Sequence, residues 1–132
     1  MIDTPDFLTT DHVLAIHRRV IAEFGGDPNL RDPGLLESAV MLPAAQFGGR
    51  YLHDGIPAMA AAYHFHVCRN HPFLDGNKRT ALAAAEVFLL LNAHTLDATN
   101  HDLESLTLGV AAGIRSKEEV TELFRQHAVP GG

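Results

Sequence analysis

Cysteine is almost missing: Cys68 is the only one in 132 residues. A lone thiol closes no intramolecular disulfide and builds no thiolate zinc site, so a reducing, cytoplasmic setting is expected. Basic residues are few as well, 10 against 16 acids, for a formal net charge of -6. Broad binding to nucleic-acid phosphates needs a field of Lys and Arg, so no direct nucleic-acid binding is expected. Long apolar runs are also lacking. The most apolar stretch, 80–92, is interrupted by Glu86 and falls short of the roughly 20 residues that span a bilayer. The first residues, Met1 to Phe7, carry acids where a secretory leader carries Lys or Arg. Neither a membrane span nor a signal peptide is expected. No internal repeat and no series of period-two strands is visible.

What is present is the composition of an ordinary globule, 46% apolar and 20% charged with 11 Gly and 7 Pro, which excludes large-scale disorder. One domain over 1–132 with one core is expected at this length. Thr9 or Thr10 can cap a first helix with Val13, Ile16, His17, Val20, Ile21 and Phe24 on one face, ended by Gly25 and Gly26. Asp32-Pro33 reads as cap and first residue of a short second helix ending at Pro43. The glycines of Gln46 to Gly55 predict a loop or small hairpin, to which any β structure should be confined. A third helix should run from Pro57 to Asn70 and stop before Pro72. A fourth, the central and most buried, should span Asn77 to Leu91. Asn100 and Ser116 can cap a fifth and a sixth, the latter through a Ser116/Glu119 capping box, and the tail from about 128 should fray. The fold class expected is all-α, about six helices.

One window concentrates the chemistry: His71-Pro-Phe-Leu-Asp75-Gly76-Asn77-Lys78-Arg79-Thr80. A base, a carboxylate, a glycine, an amide and two cations lie where a loop runs into a helix start, and free N–H groups and the helix dipole there favour anions. Lys78 and Arg79 oppose the dipole in that first turn, so an anion or Asp75 should offset them. Singly, Asp75 could be an N-cap, Gly76 a turn residue and the cations a solvated face. Their coincidence in one loop points to a phosphate site.

This window resembles the signature of the Fic/Doc superfamily, specifically its Doc (death-on-curing) branch. The likeness extends to Phe24-Gly-Gly, Arg31-Asp-Pro-Gly-Leu-Leu-Glu-Ser-Ala39, Ala61-Ala-Tyr-His-Phe-His66 and Val87-Phe-Leu-Leu-Leu-Asn92, and so covers nearly the whole chain. The resemblance implies a compact all-helical Fic fold whose active-site loop leads into a central helix. It also implies roles. His71 becomes the general base toward a target hydroxyl, and Asp75 the ligand of Mg2+. Gly76 permits close backbone approach, Asn77 orients phosphate or metal, and Lys78 and Arg79 neutralise charge on the transferring group. Phe73 anchors the loop.

Two positions depart from the AMP-transferring pattern of the superfamily, Lys78 for a glycine and Leu82 for the final arginine. Lysine intrudes where that branch seats nucleotide phosphates, and leucine holds no phosphate. The Doc branch shares both departures. Its resemblance implies a toxin that binds ATP in the reversed sense and passes the γ-phosphoryl to a threonine of translation factor EF-Tu, with positioning and charge neutralisation as the main catalytic effects. AMP transfer is the alternative. The resemblance further implies a cognate, Phd-like antitoxin. No internal Ser/Thr-x-x-x-Glu-Gly/Asn inhibitory motif is found, so inhibition in trans, by a helix in an apolar groove, is expected.

Other readings compete. His64, His66, His71 and Asp75 could form a metal cluster, but helix residues two apart point about 200° from each other. Cys68 is expected as a small buried hydrophobe. His12, His17, His53, His94, His101 and His127 are expected at the surface or in caps. Arg50 and Tyr51 fall where Fic proteins carry a flap that docks the target, and a plain surface loop explains them equally well. A non-catalytic nucleotide-binding module is the remaining alternative.

Overall fold

The computed structural model describes residues 4–131. Helix α1 (Thr10–Phe24) starts at a Thr9/His12 capping box and stops at Gly25. Helix α2 (Pro33–Met41) is capped by Asp32, which accepts from the Leu35 N–H, and passes into a 3-10 turn at Leu42–Ala44 containing Pro43. Strands β1 (Gln46–Phe47) and β2 (Arg50–Tyr51) then pair as a hairpin. Gly48 and Gly49, at φ 60 and 79, supply the two left-handed residues that a tight hairpin turn demands. Helices α3 (Ile56–Asn70) and α4 (Asn77–Leu91) flank the chemical window, and α5 (Asn100–Ala111) and α6 (Lys117–His127) complete the helical set. The cap of α5 is Thr99, one residue before the expected Asn100; its hydroxyl takes the Asp102 N–H.

The expectations for β structure and for the tail need correction. Strand β3 (His94–Leu96) pairs antiparallel with β4 (Ala128–Pro130), so β structure is not confined to the 44–56 region. The same pairing ties down the tail expected to fray, with Gly131 N–H on the Ala93 carbonyl at 2.6 Å. Residue 132 lies outside the described residues.

The centre is shared by α3 and α4, and α3 is the more enclosed of the two. Every residue from Ala58 to His64 is buried on it, and α4, α6 and α2 all pack against it. Small side chains explain how: Ala60, Ala61 and Ala62 on α3 and Ala81, Ala84 and Ala85 on α4 are wholly buried, which lets helix backbones approach closely. Phe88 fills the space between Phe7 and Tyr63. The Tyr63 hydroxyl accepts the Leu8 N–H at 2.9 Å, and burial pushes its pKa up to about 12. Cys68 is buried as expected, and burial pushes its thiol up to about 11. No described helix is long and apolar enough to cross a membrane.

The core also holds an imidazole. His64 is wholly buried, with Nε2 at 2.8 Å from the Thr107 hydroxyl, which itself donates to the Leu103 carbonyl at 2.7 Å. With the hydroxyl proton committed, Nε2 must carry the imidazole proton, leaving Nδ1 bare and without a partner. Burial pushes the pKa of His64 down to about 4. His66 is pushed to about 4 as well, by burial first and then by Lys117 and His53. Unfolded, both bind a proton near pH 6.5; folded, neither does until about pH 4. The unfolded chain therefore binds more protons across that window, and stability rises with pH through it. The thermal midpoint should fall as pH drops from 6.5 toward 4, and His64→Gln, which keeps a donor for Thr107, should flatten that fall. An unchanged midpoint between pH 7 and 5 would contradict this account.

Candidate active site

Pro72 denies His71 the right-handed conformation that would continue α3. His71 instead takes φ 52, ψ 54, a left-handed turn rare outside glycine, with its N–H on the Val67 carbonyl at 3.3 Å. The imidazole stands exposed and makes no hydrogen bond with any described residue. Phe73, two residues on, is wholly buried and anchors the loop.

Asn77 turns its side chain into the loop. It is buried, its Oδ1 accepts the Phe73 N–H at 2.9 Å and its Nδ2 donates to the Phe73 carbonyl at 2.8 Å. Burying Phe73 leaves both of its backbone groups in need of partners, and the carboxamide four residues on supplies them. The side chain of Asn77 thus locks the loop. Gly76 caps α4 at φ 80, where a Cβ would come within 3.3 Å of Val20 and Ile21. The close approach it permits is to α1. Asp75 is not an N-cap: its Oδ2 takes the Asp27 N–H at 2.7 Å, and no hydrogen bond occupies Oδ1. One open, exposed carboxylate oxygen fits Mg2+, which takes one or two protein carboxylates and completes its shell with phosphates and water.

The first intrahelical bond of α4 runs from the Thr80 N–H to the Gly76 carbonyl at 2.9 Å. The N–H groups of Asn77, Lys78 and Arg79 are consequently open, as at any helix start. Asp75 does not offset the two cations, because the one ion pair among the described residues is Arg115–Glu119. Arg79 lies over the exposed Phe24 ring instead, 3.9 Å from its centroid. Lys78 and Arg79 also border a groove of about 460 Å³ between α1, α4 and α5, where Val20, Phe24, Leu82 and Leu108 are apolar and Glu23, Glu86 and Glu104 are acidic. Burial raises the carboxyl of Glu86. His71, Asp75, Gly76, Lys78 and Arg79 thus lie along one loop and the helix start it leads into, which offers three N–H donors and two cations lacking a carboxylate partner.

Other candidates go elsewhere. His64 faces Thr107 and Phe124, and no group of three His, Cys, Asp or Glu among the described residues could hold a metal. Arg50 is exposed on β2, whereas Tyr51 is half-buried and packs on Phe7. Of the two, Arg50 is the more exposed.

Three supporting residues escaped the sequence reading. His17, expected at the surface or in a cap, is instead buried, stacked parallel on Phe73 with centroids 3.7 Å apart, and its Nε2 meets the Asp75 carbonyl at 2.8 Å. A histidine on the apolar stripe of α1 was the available signal. Gly26 at φ 118 lets the chain close on Asp75, whose Cβ lies 3.0 Å from where a side chain would begin. Arg31 donates to the carbonyls of Asn70 and His71. His17→Phe should keep the ring stack and lose the hydrogen bond, lowering unfolding free energy by about 1 kcal/mol. Urea denaturation checks this, and a variant as stable as wild type would show that the bond contributes nothing.

A helical body that carries this loop between its two central helices defines the class of proteins built on the His-Pro-Phe-x-Asp-Gly-Asn motif. The profile of the Fic/DOC family matches residues 7–89, and the chain belongs to that family. It is 32% identical over 120 residues to "Protein kinase doc" of Escherichia phage P1, covering 90% of this chain and 93% of that protein. It is 45% identical over 75 residues to "Toxin Doc" of Mycolicibacterium smegmatis, covering 57% of this chain and 58% of that relative. Both are Doc proteins, the branch that the sequence resembles.

Proposed function

We propose that this protein is a Doc-type toxin that uses Mg-ATP to phosphorylate a Ser or Thr hydroxyl of a host protein, with EF-Tu as the target, in the cytoplasm. The single observation that carries this reading is the helix start at Asn77–Arg79, whose open N–H groups and two cations without a carboxylate partner follow directly on the loop that bears an exposed base, His71, and an exposed carboxylate, Asp75. His71 accepts the hydroxyl proton as the oxygen bonds to the γ-phosphorus; the bond from that phosphorus to the bridging oxygen breaks, and ADP departs. The N–H groups of Asn77, Lys78 and Arg79 and the two side-chain cations hold phosphoryl oxygens as charge shifts among them. Asp75 would hold Mg2+, which supplies charge neutralisation to the phosphates. The names of the two relatives support the reading, one a kinase and the other a toxin.

AMP transfer is disfavoured by Lys78 and Leu82, four residues apart on one face of α4 and both bordering the groove. A cognate, Phd-like antitoxin acts in trans by seating a helix in that groove, covering Lys78 and Arg79 without needing to reach His71. The test is transfer of label to purified EF-Tu from ATP labelled at the γ- or the α-phosphate. Label from the γ-position alone is the expected result; label from the α-position alone would make the protein an AMP transferase.

A further inference from the structure

The end of α3 presents three consecutive carbonyls, at Asn70, His71 and Pro72, and all three are taken by the two residues that precede α2. Arg31 Nε donates to the His71 carbonyl at 2.6 Å and its Nη2 to the Asn70 carbonyl at 2.9 Å. The N–H groups of Arg31 and Asp32 both reach the Pro72 carbonyl, at 2.7 and 3.0 Å. Asp32 is fixed in turn as the cap of α2, so the guanidinium is delivered from a rigid helix start. Arg31 has no carboxylate partner among the described residues, and its fork is spent on backbone alone.

That expenditure coincides with the backbone feature the site most needs held. His71 is a non-glycine residue at φ 52, a conformation that persists only where surroundings enforce it. A planar guanidinium meets two carbonyls at once in a set geometry, which a lysine ammonium on a flexible stem does not reproduce.

We infer that Arg31 is a positioning residue for His71: by bridging the Asn70 and His71 carbonyls it holds the base-bearing residue in its left-handed turn. The inference rests on the reading of His71 as the base, and it predicts a rate defect with little change in nucleotide binding. Misplacing a catalytic group by about 1 Å costs on the order of a hundredfold in rate.

The test compares wild type, Arg31→Ala and Arg31→Lys. In Arg31→Ala, kcat for phosphorylation of EF-Tu should fall by about ten- to a hundredfold, with KM for ATP within about twofold of wild type because the phosphate groups are untouched. Guanidinium ion at sub-denaturing concentration should restore part of the rate, and sodium at equal ionic strength should not. The one-bond Cα–Hα coupling of His71, which reports the sign of φ, should keep its positive-φ value in wild type and lose it in Arg31→Ala. A variant with wild-type kcat and an unchanged coupling overturns the inference, as does a rate loss that follows the unfolded fraction and resists guanidinium. If Arg31→Ala does not fold, Arg31→Lys carries the same measurements. Should wild type transfer nothing to any target, the functional reading fails and the His71 coupling alone decides whether Arg31 holds the turn.

Discussion

His71→Asn should lower the rate of transfer by about 10²- to 10⁴-fold, the contribution typical of a positioned general base. Asparagine is the informative replacement because it tolerates the left-handed backbone that His71 adopts at φ 52. The imidazole itself is exposed and makes no hydrogen bond with the described residues, so its removal should leave folding nearly unchanged. A surface substitution without such features usually alters stability by less than about 0.5 kcal/mol. ATP binding should survive, since the groups proposed to hold phosphate lie on α4 and not on His71. Steady-state rates and a thermal melt check both halves. Full activity in the variant would remove His71 from the chemistry.

Asp75→Asn should depress kcat/KM by about a hundredfold or more, the scale on which one preorganised electrostatic group acts. The change is nearly isosteric. An amide oxygen can still accept the Asp27 N–H that now meets Oδ2 at 2.7 Å, so the loop should keep its shape. What disappears is the negative charge on the open oxygen, and with it affinity for a hard cation. The defect should therefore appear as a rise in the Mg2+ concentration needed for half-maximal rate, partly relieved by excess metal. The rate measured against Mg2+ decides it; an unchanged half-saturation point would place the metal on other groups.

The helical frame was readable because its ends are written in local chemistry. Thr9, Asp32, Ser116 and Glu119 act as caps at the expected places, and Pro72 and Gly76 bound the loop as their backbone preferences require. The β3–β4 pair was not readable. Strands of three residues are too short for a period of two to be read in sequence, their partners lie more than 30 residues apart, and Pro130 argues locally against a strand. The motif marks the loop and the helix start, but not which way each side chain faces. Asn77 turns inward because Phe73 is buried and its backbone must be satisfied, a tertiary fact invisible in the string Gly-Asn-Lys. His17 and Arg31 were hidden for the same reason. Their partners, Asp75 and His71, are 58 and 40 residues away, and only packing brings them together.

The most direct measurement is the intact mass of purified EF-Tu after incubation with this protein and Mg-ATP, with His71→Asn in parallel. The account predicts one phosphate-sized addition that depends on His71. An AMP-sized addition, or an unmodified target under conditions where Mg-ATP is bound, would contradict it.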